Sequence, residues 1–210
     1  MDSTPIIQEA VKVLREGGVI LYPTDTVWGI GCDATNEKAV ARVFEIKRRS
    51  EAKSLVLLAC DLDMVAKYIK EIPSIAIDLV EVNDAPMTII YPGAQYLAPN
   101  AVAEDGSVGI RIPLVEEEEE EGAPRKGAPK GNLTAGAFCK ELVYRLRRPL
   151  VSTSANISGE PTPTSFAEIS EEIKGAVDYV VPKPFGAGAT GRSSQIIKLG
   201  LGGEVEILRP

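Results

Sequence analysis

At 210 residues and 44% hydrophobic content the chain can bury one full core, and its length favours a single domain over two small ones. The absence of histidine excludes Ser-His-Asp triads, Cys-His pairs and histidine metal sites, and the cysteines Cys32, Cys60 and Cys139 form no C-x-x-C pair. A formal charge of -7 argues against a nucleic-acid surface, yet six of the acidic residues form the run 116–121, so the remainder is nearly balanced and leaves room for a local basic patch.

The opening "MDSTPII" lacks the basic flank and apolar block of a signal peptide, and no apolar run approaches a membrane span, so a cytoplasmic protein without membrane contact is expected. In "TPIIQEAVKVLREGG", Thr4 is placed to cap a helix with Pro5 at its first position. Ile6, Ile7, Ala10, Val11 and Leu14 form the apolar face, and Gly17 ends it. Residues 19–22 read as a buried strand stopped by Pro23. The stretch "LYPTDTVWGIG" then gathers hydroxyls, a carboxylate and two glycines where that strand ends, a bend better suited to a ligand than to a core. A second helix fits "NEKAVARVFEIKRR", with Ala39, Val40, Val43 and Phe44 on one face, and "SLVLLA" is the next strand. Further strands are expected at Met87–Tyr91, 107–112, 150–153, 177–181, Gln195–Leu199 and 204–208, and helices at 134–145 and 165–174. Strands that first alternate with helices and later follow one another indicate an α/β fold with an open sheet of mixed direction, flanked by helices. Residues 116–130, within "EEEEEEGAPRKGAPKG", read as an acidic, Pro/Gly-rich mobile surface insertion in this one domain of residues 1–210.

Three segments draw attention chemically. Lys47, Arg48, Arg49 and Lys53 cluster at the end of the second helix, where cations complement the helix dipole and could equally hold phosphates. "YRLRR", 144–148, has the same ambiguity. "VSTSANISGEPTPT", 151–164, runs from a strand into hydroxyls and an amide, which fits either a ligand loop or a set of turns and caps. "GAGATG", 186–191, has G-x-G-x-x-G spacing, but a strand-like "SQIIKL" follows where a dinucleotide fold needs a helix, so a flexible glycine loop is the better reading.

The ordered set "GGVILYPTDTVWGIG", "KRRSEAKSLVLL", "SVGIRIP", "PLVSTSANISGEPTPT", "RSSQIIKL" and "ILRP" resembles the YrdC/YciO family, the threonylcarbamoyl-AMP synthases and their relatives, over nearly the whole chain outside the Glu run. The resemblance implies a twisted open sheet with a concave ligand cavity. It also implies a nucleotidyltransferase that joins L-threonine, bicarbonate or CO2, and ATP into threonylcarbamoyl-AMP and pyrophosphate, for a tRNA modification beside the anticodon. By position, Thr26, Arg111 and Ser154 match residues that hold threonine. Lys53, Ser107, Asn156, Thr164 and Ser194 match residues around the nucleotide, with Arg49 and Lys47 as the catalytic cations at the phosphates. Mg2+ is expected to arrive with ATP, without a protein-built metal site. Implied partners beyond the substrates are tRNA or double-stranded RNA and tRNA-modification proteins. The alternative that the family admits is a YciO-like nucleotide or RNA binder without synthase activity.

The chain departs from the family pattern at several places. Lys47-Arg48-Arg49-Ser50 stands where Lys-Gly-Arg-Pro is usual, and Lys53-Ser54 replaces Asn-Pro. Leu58 occupies a position where synthases often carry histidine, Asp84-Ala85-Pro86-Met87-Thr88 replaces Pro-Gly-Pro-Leu-Thr, and Ser194-Gln195 replaces Ser-Thr. An attack by an already anionic threonine carbamate on phosphorus needs alignment and charge neutralisation more than a histidine base, and arginine and lysine supply both.

Overall fold

The computed structural model describes residues 3–50, 55–115, 133–182 and 189–210. The insertion at 116–130 and Lys53 therefore lie outside the described residues, as does the first half of the glycine stretch at 186–191. Helix α1 (Thr4–Arg15) buries Ile7, Ala10, Val11 and Leu14, the stripe that its spacing predicts. It begins one residue early: Ser3 takes the capping position without a side-chain bond, and Thr4 is already helical. Gly17, at φ +83°, turns the chain into β1 (Ile20–Tyr22).

The "WGIG" bend is in fact a strand, β2 (Gly29–Gly31), antiparallel to β1. Its glycines do not serve a turn. A Cβ at Gly31 would lie 2.3 Å from the Val151 carbonyl oxygen and 2.7 Å from the Tyr22 ring, so glycine is what lets β2 fit between its neighbours. Helix α2 (Glu37–Lys47) starts at Asn36, whose side chain accepts from the Ala39 amide at 3.1 Å, and stops where Arg48 adopts a left-handed conformation.

Strand β3 (Val56–Leu58) precedes two short helices that sequence periodicity did not reveal, α3 (Leu62–Tyr68) and α4 (Ser74–Glu81). Then come β4 (Met87–Tyr91), β5 (Val108–Arg111), α5 (Ala135–Leu146) and β6 (Leu150–Ser154). The helix expected at 165–174 is shorter. A 3-10 turn at Phe166–Glu168 comes first, and α6 (Glu171–Ala176) begins only after Ser170, whose side chain caps it. Strands β7 (Tyr179–Val180), β8 (Gln195–Leu199) and β9 (Val205–Arg209) complete the fold.

The nine strands among the described residues join one sheet in the order β7-β1-β2-β6-β3-β5-β4-β8-β9. The pairs β1/β7, β3/β5 and β4/β8 are parallel and the rest antiparallel, so the sheet is mixed, as the element order implies. One face carries Leu21, Ile30, Leu57, Ile89, Ile110 and Val151 into the larger core, with α2, α3 and α4 against it. On the other face α1 and α5 cover Ile20, Tyr22, Leu58 and Leu150. That cover is partial. Because side chains alternate along each strand, the uncovered part of this face presents Ser152 and Ser154 of β6, Gly109 and Arg111 of β5, Thr88 of β4, and Ile196 and Lys198 of β8. Among the described residues no helix is long and apolar enough to cross a membrane.

Candidate active site

The uncovered half of that sheet face forms a cavity of about 240 Å3, lined by Thr26, Arg49, Val56, Arg111, Ser152, Thr153, Ser154, Ser193, Ser194, Ile196 and Arg209. Val56 and Ile196 also wall an adjoining hollow of about 420 Å3, which Ser107 enters. Five of the residues singled out by sequence, Thr26, Arg49, Arg111, Ser154 and Ser194, thus converge on one cavity, with Ser107 next door.

The segment after β1 is held by its own hydroxyls. The Thr24 hydroxyl donates to the Val27 carbonyl at 2.7 Å and accepts from the Thr26 and Val27 amides at 3.1 and 3.2 Å. With that proton committed, the Thr26 hydroxyl is the donor in its 2.8 Å contact with Thr24. Its oxygen in turn accepts from Arg111 Nη2 at 3.3 Å. Pro23-Thr24-Asp25-Thr26 is therefore a wall braced from within, and Arg111 leans on it.

Asp25, between the two threonines, was not singled out in the sequence. Its carboxylate accepts from Arg111 Nη1 and from the Leu114 amide, the latter at 3.2 Å, and both members of the ion pair are about 95% buried. Its backbone carbonyl accepts from Thr190 at 2.9 Å, and that of Thr26 from Gly191 at 2.8 Å, so the segment before β8 is fastened over the same wall. Ser194 is anchored from two sides: its hydroxyl meets that of Thr88 at 2.8 Å, and its carbonyl accepts from Arg209 Nε at 2.7 Å.

Three guanidinium groups, of Arg49, Arg111 and Arg209, face the cavity, and none of the described lining residues is acidic. Burial lowers the pKa of Arg49. Burial also lowers that of Arg209, with the positive charge of Arg111 adding to the effect. Guanidinium pKa values lie far above neutrality, so these groups remain cationic. Asp25 pairs with Arg111, and the guanidinium groups of Arg49 and Arg209 lie beside a row of serine hydroxyls. That arrangement suits a polyanion.

Lys47 is not among the described residues that line the cavity. Its side chain is 2% exposed and its ammonium donates to the carbonyls of Ser154 and Asn156, the latter at 2.7 Å. The Lys47 carbonyl accepts from the Ser158 amide at 2.8 Å. Burial, and secondarily Arg49, pushes its pKa down to about 8. The residue thus underpins the Ser154–Asn156 turn.

Asn156 and Thr164 also lie outside that lining. Asn156 donates to the carbonyls of Ile157 and Glu160 at 3.0 and 2.8 Å, and the hydroxyl of exposed Thr164 donates to Glu168 at 3.0 Å. Leu58, at the position where histidine was noted as usual, is fully buried beside Phe138 and Leu150. The polar cavity residues not singled out in advance are Ser152, Thr153, Ser193 and Arg209, with Thr88 and Asp25 behind them. In the sequence Thr88 is a lone hydroxyl residue in the apolar strand "MTIIY", and Ser152 opens the hydroxyl run "STS" that ends β6.

Residues 12–116 and 132–210 match the family model Sua5/YciO/YrdC, described as "Telomere recombination", and the match leaves out 117–131. The chain is 31% identical over 189 residues to threonylcarbamoyl-AMP synthase of Pseudoalteromonas translucida, covering 89% of this chain and 90% of that protein. It is 32% identical over 187 residues to the protein of that name from Coxiella burnetii strain RSA 493, covering 88% and 89%. Among solved structures, P. abyssi Sua5 in complex with L-threonine superposes with a TM-score of 0.75 at 27% identity, covering 92% of this chain. The chain spans only 50% of the length of that Sua5. E. coli YciO shares the fold, with a TM-score of 0.71 at 22% identity over 99% of this chain and 89% of its own. The chain belongs to the Sua5/YciO/YrdC family.

Proposed function

We propose that this protein is a threonylcarbamoyl-AMP synthase, acting on L-threonine, bicarbonate or CO2, and the magnesium complex of ATP. The observation that carries the reading is the cationic cavity in which Thr26, Arg111 and Ser154 adjoin Arg49, Arg209 and Ser194, with no carboxylate among its described lining residues. The synthase names of the sequence relatives and the threonine bound by Sua5 support the same reading.

In this scheme Arg111 takes the threonine carboxylate on the guanidinium edge that Asp25 leaves open, and Ser154 offers a neutral hydrogen bond. The threonine nitrogen adds to the carbon of CO2 and loses a proton, giving a carbamate. A carbamate oxygen then attacks the α-phosphorus of ATP, the bond from that phosphorus to the α,β-bridging oxygen breaks, and pyrophosphate leaves with the bond's electron pair. Arg49 and Arg209 neutralise the phosphates and hold them in line. A lining of hydroxyls and guanidiniums suits a magnesium ion carried by phosphates and water, not one caged by the protein. The product would supply a tRNA modification.

The test is pyrophosphate release from ATP, magnesium and bicarbonate with and without L-threonine. Threonine-dependent release that falls by two orders of magnitude or more in Arg49→Ala is expected. No threonine-dependent release from folded protein would overturn the proposal, and RNA binding that weakens steeply with salt would then favour the YciO-like alternative.

A further inference from the structure

The 240 Å3 cavity is small for an amino acid and a nucleoside triphosphate together, set against the roughly 300–1,000 Å3 of ligand pockets. The space continues in one direction past Val56 and Ile196, into the 420 Å3 hollow walled by Leu55, Ile90, Val108 and Leu208. Gly109 keeps its floor open: a Cβ there would project into it, 3.2 Å from a methyl of Thr88 and 3.7 Å from Ile90. At its polar end stands Asp105, paired with Lys198 across the mouth at 3.1 Å.

Asp105 is fixed by the loop that carries it. Its Oδ1 accepts from the Ser107 amide at 3.0 Å and from the Ser107 hydroxyl at 2.5 Å, while Oδ2 accepts only from Lys198. A carboxylate has about four acceptor positions and three donors occupy this one, so Asp105, which lines the hollow, has a position left to accept a further hydrogen bond. The Ser107 bonds and Lys198 hold the pKa of Asp105 at about 2, and the group is ionised at neutral pH. An ionised carboxylate only accepts; whatever it meets must donate.

Resting on the synthase reading of the neighbouring cavity, we propose that Asp105 is a specificity-determining residue that accepts a hydrogen bond from the nucleoside of ATP, seated in this hollow. The donors a nucleoside offers are its ribose hydroxyls and, in adenosine, the amino group of the base. Apolar side chains around the hollow cover the base, and Lys198 fixes the carboxylate's direction. Ser107 acts through Asp105: its hydroxyl proton points at the carboxylate and is not available to the nucleotide.

Calorimetric binding of ATP, 2′-deoxy-ATP, 3′-deoxy-ATP and ITP to the wild type and to Asp105→Asn tests this, with pyrophosphate release measured in parallel. Asp105 is exposed on a loop, so the Asn variant is expected to fold, and its circular dichroism spectrum checks that. The wild type is expected to bind ATP at least tenfold more tightly than one of the three analogues. A deoxy analogue identifies a ribose hydroxyl as the donor, and ITP identifies the amino group. The preference should shrink to within twofold in Asp105→Asn, through weaker ATP binding. An undiminished preference in the variant, or none in the wild type, overturns the inference. Preferential binding that is lost in the variant, without turnover in either protein, upholds the inference and overturns the synthase reading. No binding of ATP by folded wild-type protein overturns both.

Discussion

Replacing Asp25 by asparagine keeps the size of the side chain and removes its charge. In the native protein Asp25 and Arg111 have side chains only 5% and 4% exposed, so the substitution leaves a buried guanidinium without its counter-charge. If the asparagine oxygen turns to the Leu114 amide, its own NH2 group faces Arg111, donor against donor. Breaking a buried pair from one side costs about 3–5 kcal/mol, a large part of the ~5–15 kcal/mol by which a domain is stable. For a chain of this size that is a fall in melting midpoint of about 6–20 °C. The companion variant is Arg111→Met, and the decisive one is the double substitution. If the two residues act as a pair, the double variant recovers much of the loss, and the cycle gives a coupling of about 2 kcal/mol or more. Thermal and urea unfolding of the four proteins measures it. Costs that add to within about 0.5 kcal/mol would refute the reasoning, because they would mean that each residue is stabilised by something other than its partner.

Lys47→Met should destabilise the protein by about 1.5–3 kcal/mol for each carbonyl bond lost, at Ser154 and Asn156, as read by urea midpoints. The pH dependence follows from a folded pKa of about 8 that lies below the ordinary lysine value of 10.5. Between those values the unfolded chain binds more protons at this site than the folded one, so the site's contribution to stability rises with pH across that window and is flat below it. Stability measured from pH 7 to 10.5 against Lys47→Met isolates this slope, and a falling contribution would contradict the assignment. Gly31→Ala, whose Cβ meets backbone at 2.3 Å, should lower the melting midpoint strongly or abolish soluble expression. Gly109→Ala meets only a methyl at 3.2 Å and should leave the midpoint within a few degrees while weakening ATP binding. Ser107→Ala removes the foremost cause of the low Asp105 pKa, so the carboxyl titration followed by NMR should move up from about 2 toward 3.8. The loop stabilisation that Asp105 provides would then be lost at a higher pH as the solution is acidified.

Elements with a strong local signature were legible in the sequence. Helix α1 has its stripe of Ile7, Ala10, Val11 and Leu14, and α2 adds a capping Asn36; β4 and β8 fall at their expected bounds. What escaped notice lacks such a signature. Helices α3 and α4 are only seven and eight residues long, too short for periodicity to separate from noise. Strand β2 has glycine at two of its three positions, and nothing local distinguishes a glycine chosen for close strand packing from one chosen for a turn. Only the Val151 carbonyl and the Tyr22 ring, brought alongside by tertiary pairing, decide it.

The same division runs through the site. Thr26, Arg111, Ser154, Arg49 and Ser194 come from motifs spread over most of the chain, and the sheet order brings them together. Lys47 and Arg49 are separated by one residue, yet only Arg49 reaches the cavity. Lys47 closes the last turn of α2, where its ammonium meets two carbonyls at the end of β6, whereas Arg49 follows the left-handed residue Arg48, which redirects the chain. A basic run records charge but not direction, and direction here is set by the φ of 49° at Arg48. That is why a variant at Lys47 should act through the shape of the Ser154–Asn156 turn and one at Arg49 through the charge offered to phosphate. Replacing Arg49 by lysine tests the second half of this statement: the retained charge should restore part of the activity lost in Arg49→Ala. No recovery would mean that the planar guanidinium, not its charge, is what the phosphates require.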